Sequence, residues 1–197
     1  MNDSGITVVR KPEWISWNDI HSFLAAAHQD NIQKGVLMRS QSLSGQEIEA
    51  FFANGGQMLT AVEGDKLVGT AAFVPMESKL WCCKGLCLYY CMAAVSPACR
   101  GKGVYKLLCD YRDRIASDLG ADLVFFDTHE KNDREIDIAR RHGFIPVGIK
   151  KFSDHDNIVL ARWPKGCPYS PLRCKANYLW HKFSVSLKYR LKHLFSV

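Results

Sequence analysis

No stretch of this sequence approaches the run of about eighteen apolar residues that a membrane-crossing helix needs. The first residues, MNDSGITVVRKPEW, carry no basic segment followed by an apolar core, so no secretory leader is expected. Neither an internal repeat nor a low-complexity segment is present, which excludes solenoids and disordered arrays. Acidic residues are missing from Arg162 to the end, where eight Lys or Arg residues stand. Taking that +8 from the overall +6 leaves −2 for residues 1–161, so the basic character belongs to a tail and not to the body. A body that is not basic and that carries no nucleic-acid motif gives no reason to expect nucleic acid as a partner.

Eight cysteines are present, but their placement does not suggest a disulfide framework. Cys87 and Cys91 fall in a strand-like run, Cys109 falls in a helical pattern, and Cys82 adjoins Cys83. Cys87 and Cys91 on one strand would lie about 13 Å apart, too far to share a zinc ion. Reduced thiols, no metal and a cytoplasmic setting are the expectation. At 197 residues, 47% apolar and 23% charged, the chain is sized for one core-forming domain.

The elements follow from periodicity and punctuation. GITVVR (5–10) is a β-rich run. Ser16 to Asp19 starts a helix carrying Ile20, Phe23, Leu24 and Ala27, and a polar loop covers about 29–43. SGQE (44–47) is a second capping box, leading into Ile48, Phe51 and Phe52 before Gly55-Gly56. Residues 57–76 read as a hairpin turning at Gly64-Asp65, and GLCLYYCMAAV (85–95) as a buried central strand. Val104, Leu107, Leu108, Tyr111, Ile115 and Leu119 mark one helical face ended by Gly120. A strand at 122–128, a helix at 132–142 and strands FIPVGIKKF and NIVLARW complete the body. The order is α/β with a meander in the middle, and the crossovers through the two later helices suggest parallel pairing there.

Between the central strand and the next helix lies VSPACRGKGVYKLL (95–108). It lacks the Walker pattern G-x-x-x-x-G-K-[ST] and the third glycine of a dinucleotide fingerprint. It is an Arg-Gly-Lys-Gly turn whose glycines let backbone N–H groups point inward. The helix N-terminus adds partial positive charge, and Arg100 and Lys102 add full charges. Such a nest suits a pyrophosphate.

AVSPACRGKGVYKLL resembles the acyl-CoA-binding motif of the GNAT superfamily of N-acyltransferases, V-x-P-x-x-R-G-x-G-x-[GA]-x-x-L. THEKNDREIDIARRHGF is similar to that family's second signature, with Asn132 eleven residues before Gly143-Phe144. The resemblance covers about Gly5 to Trp163. It implies a GNAT-like mixed central sheet of about seven strands flanked by helices, a single domain over 1–163, with a basic C-terminal extension over 164–197. It implies acetyl-CoA as donor. The backbone of Ala93, Ala94 and Val95 would hold the pantetheine arm and acyl carbonyl. The amides of Arg100, Gly101, Lys102, Gly103, Val104, Tyr105 and Lys106 would hold the pyrophosphate, and Asn132 would touch the pantetheine. Asn132 with Glu135 is equally a helix N-cap pair.

The sequence departs from the family pattern in two places. Tyr105 stands where the loop ends in a small residue, and it either turns aside or lends its hydroxyl. Ala139 stands where many members carry the tyrosine that reprotonates the leaving CoA thiolate. His129 is a candidate to take the proton of an amine, with Asp127 orienting it or binding the amine, although both equally suit a structured loop with Thr128. Tyr90 is a further candidate beside Tyr89 and Cys91, with an aromatic core as its other reading. Acetyl transfer needs chiefly orientation and an oxyanion partner, so no conspicuous triad is required.

The acceptor would be bounded by QDNIQKGVLMRSQSLSG, with Arg39, and by ESKLWCCKG (77–85). A small-molecule amine, an amino sugar ahead of a protein lysine, is the expected acceptor. In the tail, Ala176, Trp180, Phe183, Leu187, Leu191 and Leu194 fall at helical spacing among Lys182, Lys188, Arg190 and Lys192. That describes either a helix packed on its own domain or a second subunit of a homodimer, or a basic amphipathic helix for a membrane surface or a protein groove. Two functions stand: an acetyl-CoA-dependent N-acetyltransferase, and an acyl-CoA-binding or sensor protein on the same fold.

Overall fold

The computed structural model describes residues 5–36, 42–77, 81–152 and 154–194, with side chains as far as 188. Contacts gather the chain into two compact units. The first holds Met1–Met76 and Leu88–Gly120, the second Glu77–Cys87 and Ala121–Val197.

The first unit carries four antiparallel strands in the order β1 (Ile6–Arg10), β2 (Gln57–Glu63), β3 (Lys66–Pro75) and β4 (Cys87–Val95). Its helices are α1 (Trp17–Ala27), the short α2 (Gln29–Gln33), α3 (Gly45–Phe52) and α4 (Val104–Asp118). One face of the sheet packs Met58, Val62, Ala72 and Val74 against Ile20 and Leu24 of α1 and Ile48 and Phe52 of α3. The other face packs Leu59, Ala61, Val68 and Ala71 against Val104 and Leu108 of α4. Because both faces are covered, β2 and β3 are buried almost without alternation, as their apolar composition requires.

Both expected capping boxes form. The Ser16 hydroxyl accepts from the Asp19 amide and the Asp19 carboxylate accepts from the Ser16 amide; Ser44 and Glu47 repeat the arrangement. The expected polar loop after α1 contains α2, and Arg39 lies outside the described residues.

The second unit contains β5 (Leu123–His129), α5 (Asp133–Arg141), β6 (Ile145–Lys151), β7 (Asp156–Arg162) and α6 (Pro171–Leu194). Strand β7 pairs antiparallel with β5 on one side and β6 on the other. The crossover through α5 therefore does not place β5 beside β6, as the sequence order suggests; β7 returns between them. With the first unit this makes the seven strands of a mixed α/β protein.

Helix α6 packs along β6. The Ile149 amide donates to His181 Nδ1 at 3.2 Å, and Gly148 leaves room for that ring, which an added Cβ would meet at 3.1 Å. Tyr169 holds the approach to α6, edge-on to Trp81 and Trp163, with Arg173 over its ring. The sulfurs of Cys83 and Cys87 are bonded, which corrects the expectation of eight free thiols. The intervening turn brings their Cα atoms to 6.6 Å, within disulfide range, a closeness that strand spacing does not reveal.

Replacing Ser16 or Ser44 by Ala is expected to lower unfolding stability by about 1 kcal/mol each. Urea unfolding would read this as a shifted midpoint at constant slope.

Candidate active site

The loop after β4 is a short 3-10 turn, Pro97–Cys99, followed by two left-handed glycines. Gly101 has φ +79° and Gly103 φ +78°, and nothing lies within 4 Å of where either Cβ would stand. Gly103 is the N-cap of α4 and makes no side-chain cap bond. Gly103 has no side chain to cap the amides that open α4, and the left-handed turns before them keep the approach open. An anion with several oxygens suits such a cradle.

The charges around it are divided unevenly. Lys102 is exposed and pairs with no carboxylate among the described residues. The guanidinium of Arg100, expected to face phosphate, is instead bound to Asp30 Oδ2 and to the Ala27 carbonyl at 2.8 Å, so it fastens the loop to the end of α1. Its backbone still belongs to the turn. Lys106 pairs with Asp110 one helical turn on. Tyr105 is half-buried and close enough to Arg112 to act on its charge.

Strand β4 is irregular where this loop begins. Thr70 pairs with Ala94 and Ala72 with Cys91, so Met92 and Ala93 together oppose Ala71. Met92 has φ +52°, the one non-glycine left-handed residue among those described. The Thr70 hydroxyl donates to the Met92 carbonyl at 2.8 Å and pins the bulge. A buried bulge with a strained residue re-aims backbone groups and is a frequent companion of binding sites. It lies beside Ala93, Ala94 and Val95, the residues expected to hold an extended ligand arm. Sequence reasoning misses Met92 and Thr70, because a methionine in an apolar strand reads as core and carries no turn signal.

Tyr90 points to the α4 face. It is 2% exposed, its hydroxyl donates to Asp113 at 2.9 Å, and the Arg112 guanidinium covers its ring at 3.8 Å. Here the aromatic-core reading fits Tyr90 better than a catalytic one. Arg112 is buried in the helical face where Leu119 was expected; Leu119 is half exposed.

In the second unit, Asp127 accepts a hydrogen bond from Asn157 and lies 3.9 Å from Lys150. His129 is 4% exposed and stacks on His155 with ring centroids 4.6 Å apart. Its Nδ1 accepts from the Lys131 amide at 3.0 Å. The neutral ring therefore carries its hydrogen on Nε2 and presents a donor, where a base was expected. Burial, assisted by His155, holds it below the usual imidazole range. Asn132 does not cap α5 with its side chain; its amide donates to Thr128 Oγ1 at 3.0 Å. Ala139 is buried, with no side-chain acid at that position. Among the described residues no group of three or more His, Cys, Asp or Glu is placed to hold a metal ion.

A bulged strand running into a left-handed glycine turn, with no side-chain cap on the helix that follows, is an arrangement suited to a phosphorylated ligand with an extended arm. The chain belongs to the GNAT acetyltransferase family, whose model matches residues 17–144. Solved structures share the fold at low identity. A GNAT-family acetyltransferase from Staphylococcus aureus Mu50 is 16% identical, covering 81% of this chain and 99% of its own, with a TM-score of 0.64. An acetyltransferase from Streptococcus agalactiae 2603 is 16% identical, covering 81% and 98%, with a TM-score of 0.60. A Salmonella typhimurium protein assigned as an acetyltransferase and solved with its cofactor acetyl-CoA is 16% identical, covering 81% and 94%, with a TM-score of 0.60. Comparison with curated protein sequences found no match.

Gly101→Val and Gly103→Val each force a Cβ into a left-handed turn, at roughly 1–2 kcal/mol of strain. Calorimetry should find acetyl-CoA binding lost, while the urea midpoint falls only by that strain. A second expectation concerns pH. His28, His129 and His181 are all held below the ordinary imidazole value, chiefly by burial, with Arg100, His155 and Lys188 respectively adding to it. Groups depressed in the folded state favour the fold while neutral. Their contribution is complete above the unfolded pKa of about 6.5 and is lost as pH falls through the lower folded values. Urea midpoints should hold steady above about pH 7 and decline below about pH 6, before carboxylates titrate.

Proposed function

We propose that this protein moves an acetyl group from acetyl-CoA to the amine of a small molecule by direct transfer. The observation that carries this reading is the pair of left-handed glycines opening an α4 without a side-chain cap, directly after the bulge at Met92. The loop can take a pyrophosphate through amides of residues 101 and 103–106, those of Arg100 and Lys102 being turned onto the Pro97 and Cys99 carbonyls against expectation, with Lys102 as the cation beside it. The backbone of Ala93, Ala94 and Val95 can hydrogen-bond an amide-bearing arm as an added strand would. Bound there, acetyl-CoA supplies an activated thioester.

The reaction then forms a bond from the amine nitrogen to the acetyl carbon and breaks the carbon–sulfur bond. The ammonium proton leaves and the thiolate gains one. Orientation and backbone N–H groups lower this barrier without a dedicated triad. Tyr90 already donates to Asp113, so water is the simpler partner for the proton. His129, neutral with its hydrogen on Nε2, can hydrogen-bond a developing negative charge but has no proton to give a thiolate, so it does not replace the acid that Ala139 lacks. Amino sugars lead the acceptor classes.

Ala139 supports a second reading, an acyl-CoA-binding or sensor protein of the same family whose chemistry is weak. Release of free thiol separates the two. With acetyl-CoA and a panel of amines that includes amino sugars and a lysine peptide, thiol should appear with a small amine. His129→Ala should lower kcat by about tenfold to a hundredfold and leave acetyl-CoA affinity unchanged. Tight binding with no release from any amine would favour the sensor.

A further inference from the structure

Helix α6 has two opposed faces. One is turned inward, with Cys174 buried and Tyr178, His181 and Val185 half-buried, and it meets β6 where His181 takes the Ile149 amide. The opposite face is exposed and apolar. At about 100° per residue, Leu172, Ala176, Leu179, Trp180, Phe183 and Leu187 fall within an arc of about 100°. Leu172 is 79% exposed, Trp180 69% and Phe183 59%. A contiguous exposed patch of this kind marks an interaction surface, unlike scattered single apolar residues.

The cations decide what the patch meets. Arg173 and Lys188 border one side of the stripe and Lys175 and Lys182 the other, and all four are exposed. No acidic residue occurs anywhere in α6. A second copy laid on this face would set basic flanks against basic flanks with nothing to offset them. Nucleic acid would answer the cations but leave the apolar stripe in water. A bilayer surface with anionic headgroups answers both: the stripe enters the headgroup–acyl boundary and the flanking cations meet phosphate. Trp180, with Phe183 beside it at 6.0 Å between centroids, is the residue type favoured at that depth. No described helix is long and apolar enough to cross a membrane, so the mode is lying on the surface.

We propose that the exposed face of α6 docks this acetyltransferase onto anionic lipid membranes.

The test is vesicle flotation of the full chain, comparing phosphatidylglycerol–phosphatidylcholine vesicles with phosphatidylcholine alone. The protein should float with the anionic vesicles, and molar salt should release most of it. The double variant Lys175→Glu/Lys182→Glu should lower partitioning by about tenfold or more. Trp180→Ser/Phe183→Ser should abolish it. These side chains point to solvent, so circular dichroism and thermal midpoint should stay those of the parent. Equal binding to neutral vesicles, or none to either, overturns the proposal. A concentration-dependent dimer in light scattering that Trp180→Ser/Phe183→Ser breaks, without vesicle binding, also overturns it and makes the face a subunit interface.

Discussion

The first unit depends on covering both faces of a four-stranded sheet. Helices α1 and α3 close one side and α4 the other, so every backbone group of β2 to β4 needs a partner inside the protein. Strand β4 breaks that regularity at one place. Met92 turns left-handed, two residues oppose one, and Thr70 ties down the displaced carbonyl. The strain is tolerated because packing on both faces fixes the strand around it. The same irregularity sets the direction in which the chain leaves β4 for the glycine loop.

The loop works by backbone and by what is kept out of it. Gly101 and Gly103 open into space, and Arg100 is occupied at the end of α1. The Arg100 and Lys102 amides close onto the Pro97 and Cys99 carbonyls, and the exposed Lys102 ammonium stands beside the start of α4. Such an arrangement suits an anion recognised through backbone more than through side chains.

Much of this was legible in the sequence. The capping boxes at Ser16 and Ser44, the hairpin at Gly64-Asp65, the central strand and the glycine loop each carry a local signal, and local signals are what a sequence displays. The element that returns between β5 and β6 does not, because strand order is decided by packing far along the chain. The bulge at Met92 was hidden by its own apolar character. Arg112 under Tyr90 was hidden too, since a charged residue in a helical pattern reads as solvated until its cation–π partner is known. The roles expected for Tyr90 and His129 rested on residue type. Hydrogen-bond partners, which the sequence does not show, give the one a structural bond to Asp113 and the other a fixed tautomer. The tail's helical spacing was readable; that one face would pack on β6 and leave the other bare was not.

If the bulge of β4 and the glycine turn together hold acetyl-CoA, the backbone there becomes protected when it binds. Hydrogen–deuterium exchange of the full chain would be compared with and without acetyl-CoA. Slowed exchange is expected, confined in the first unit to the amides of residues 93–95 and 100–106. Unchanged exchange there under saturating acetyl-CoA, or protection only elsewhere, would contradict it.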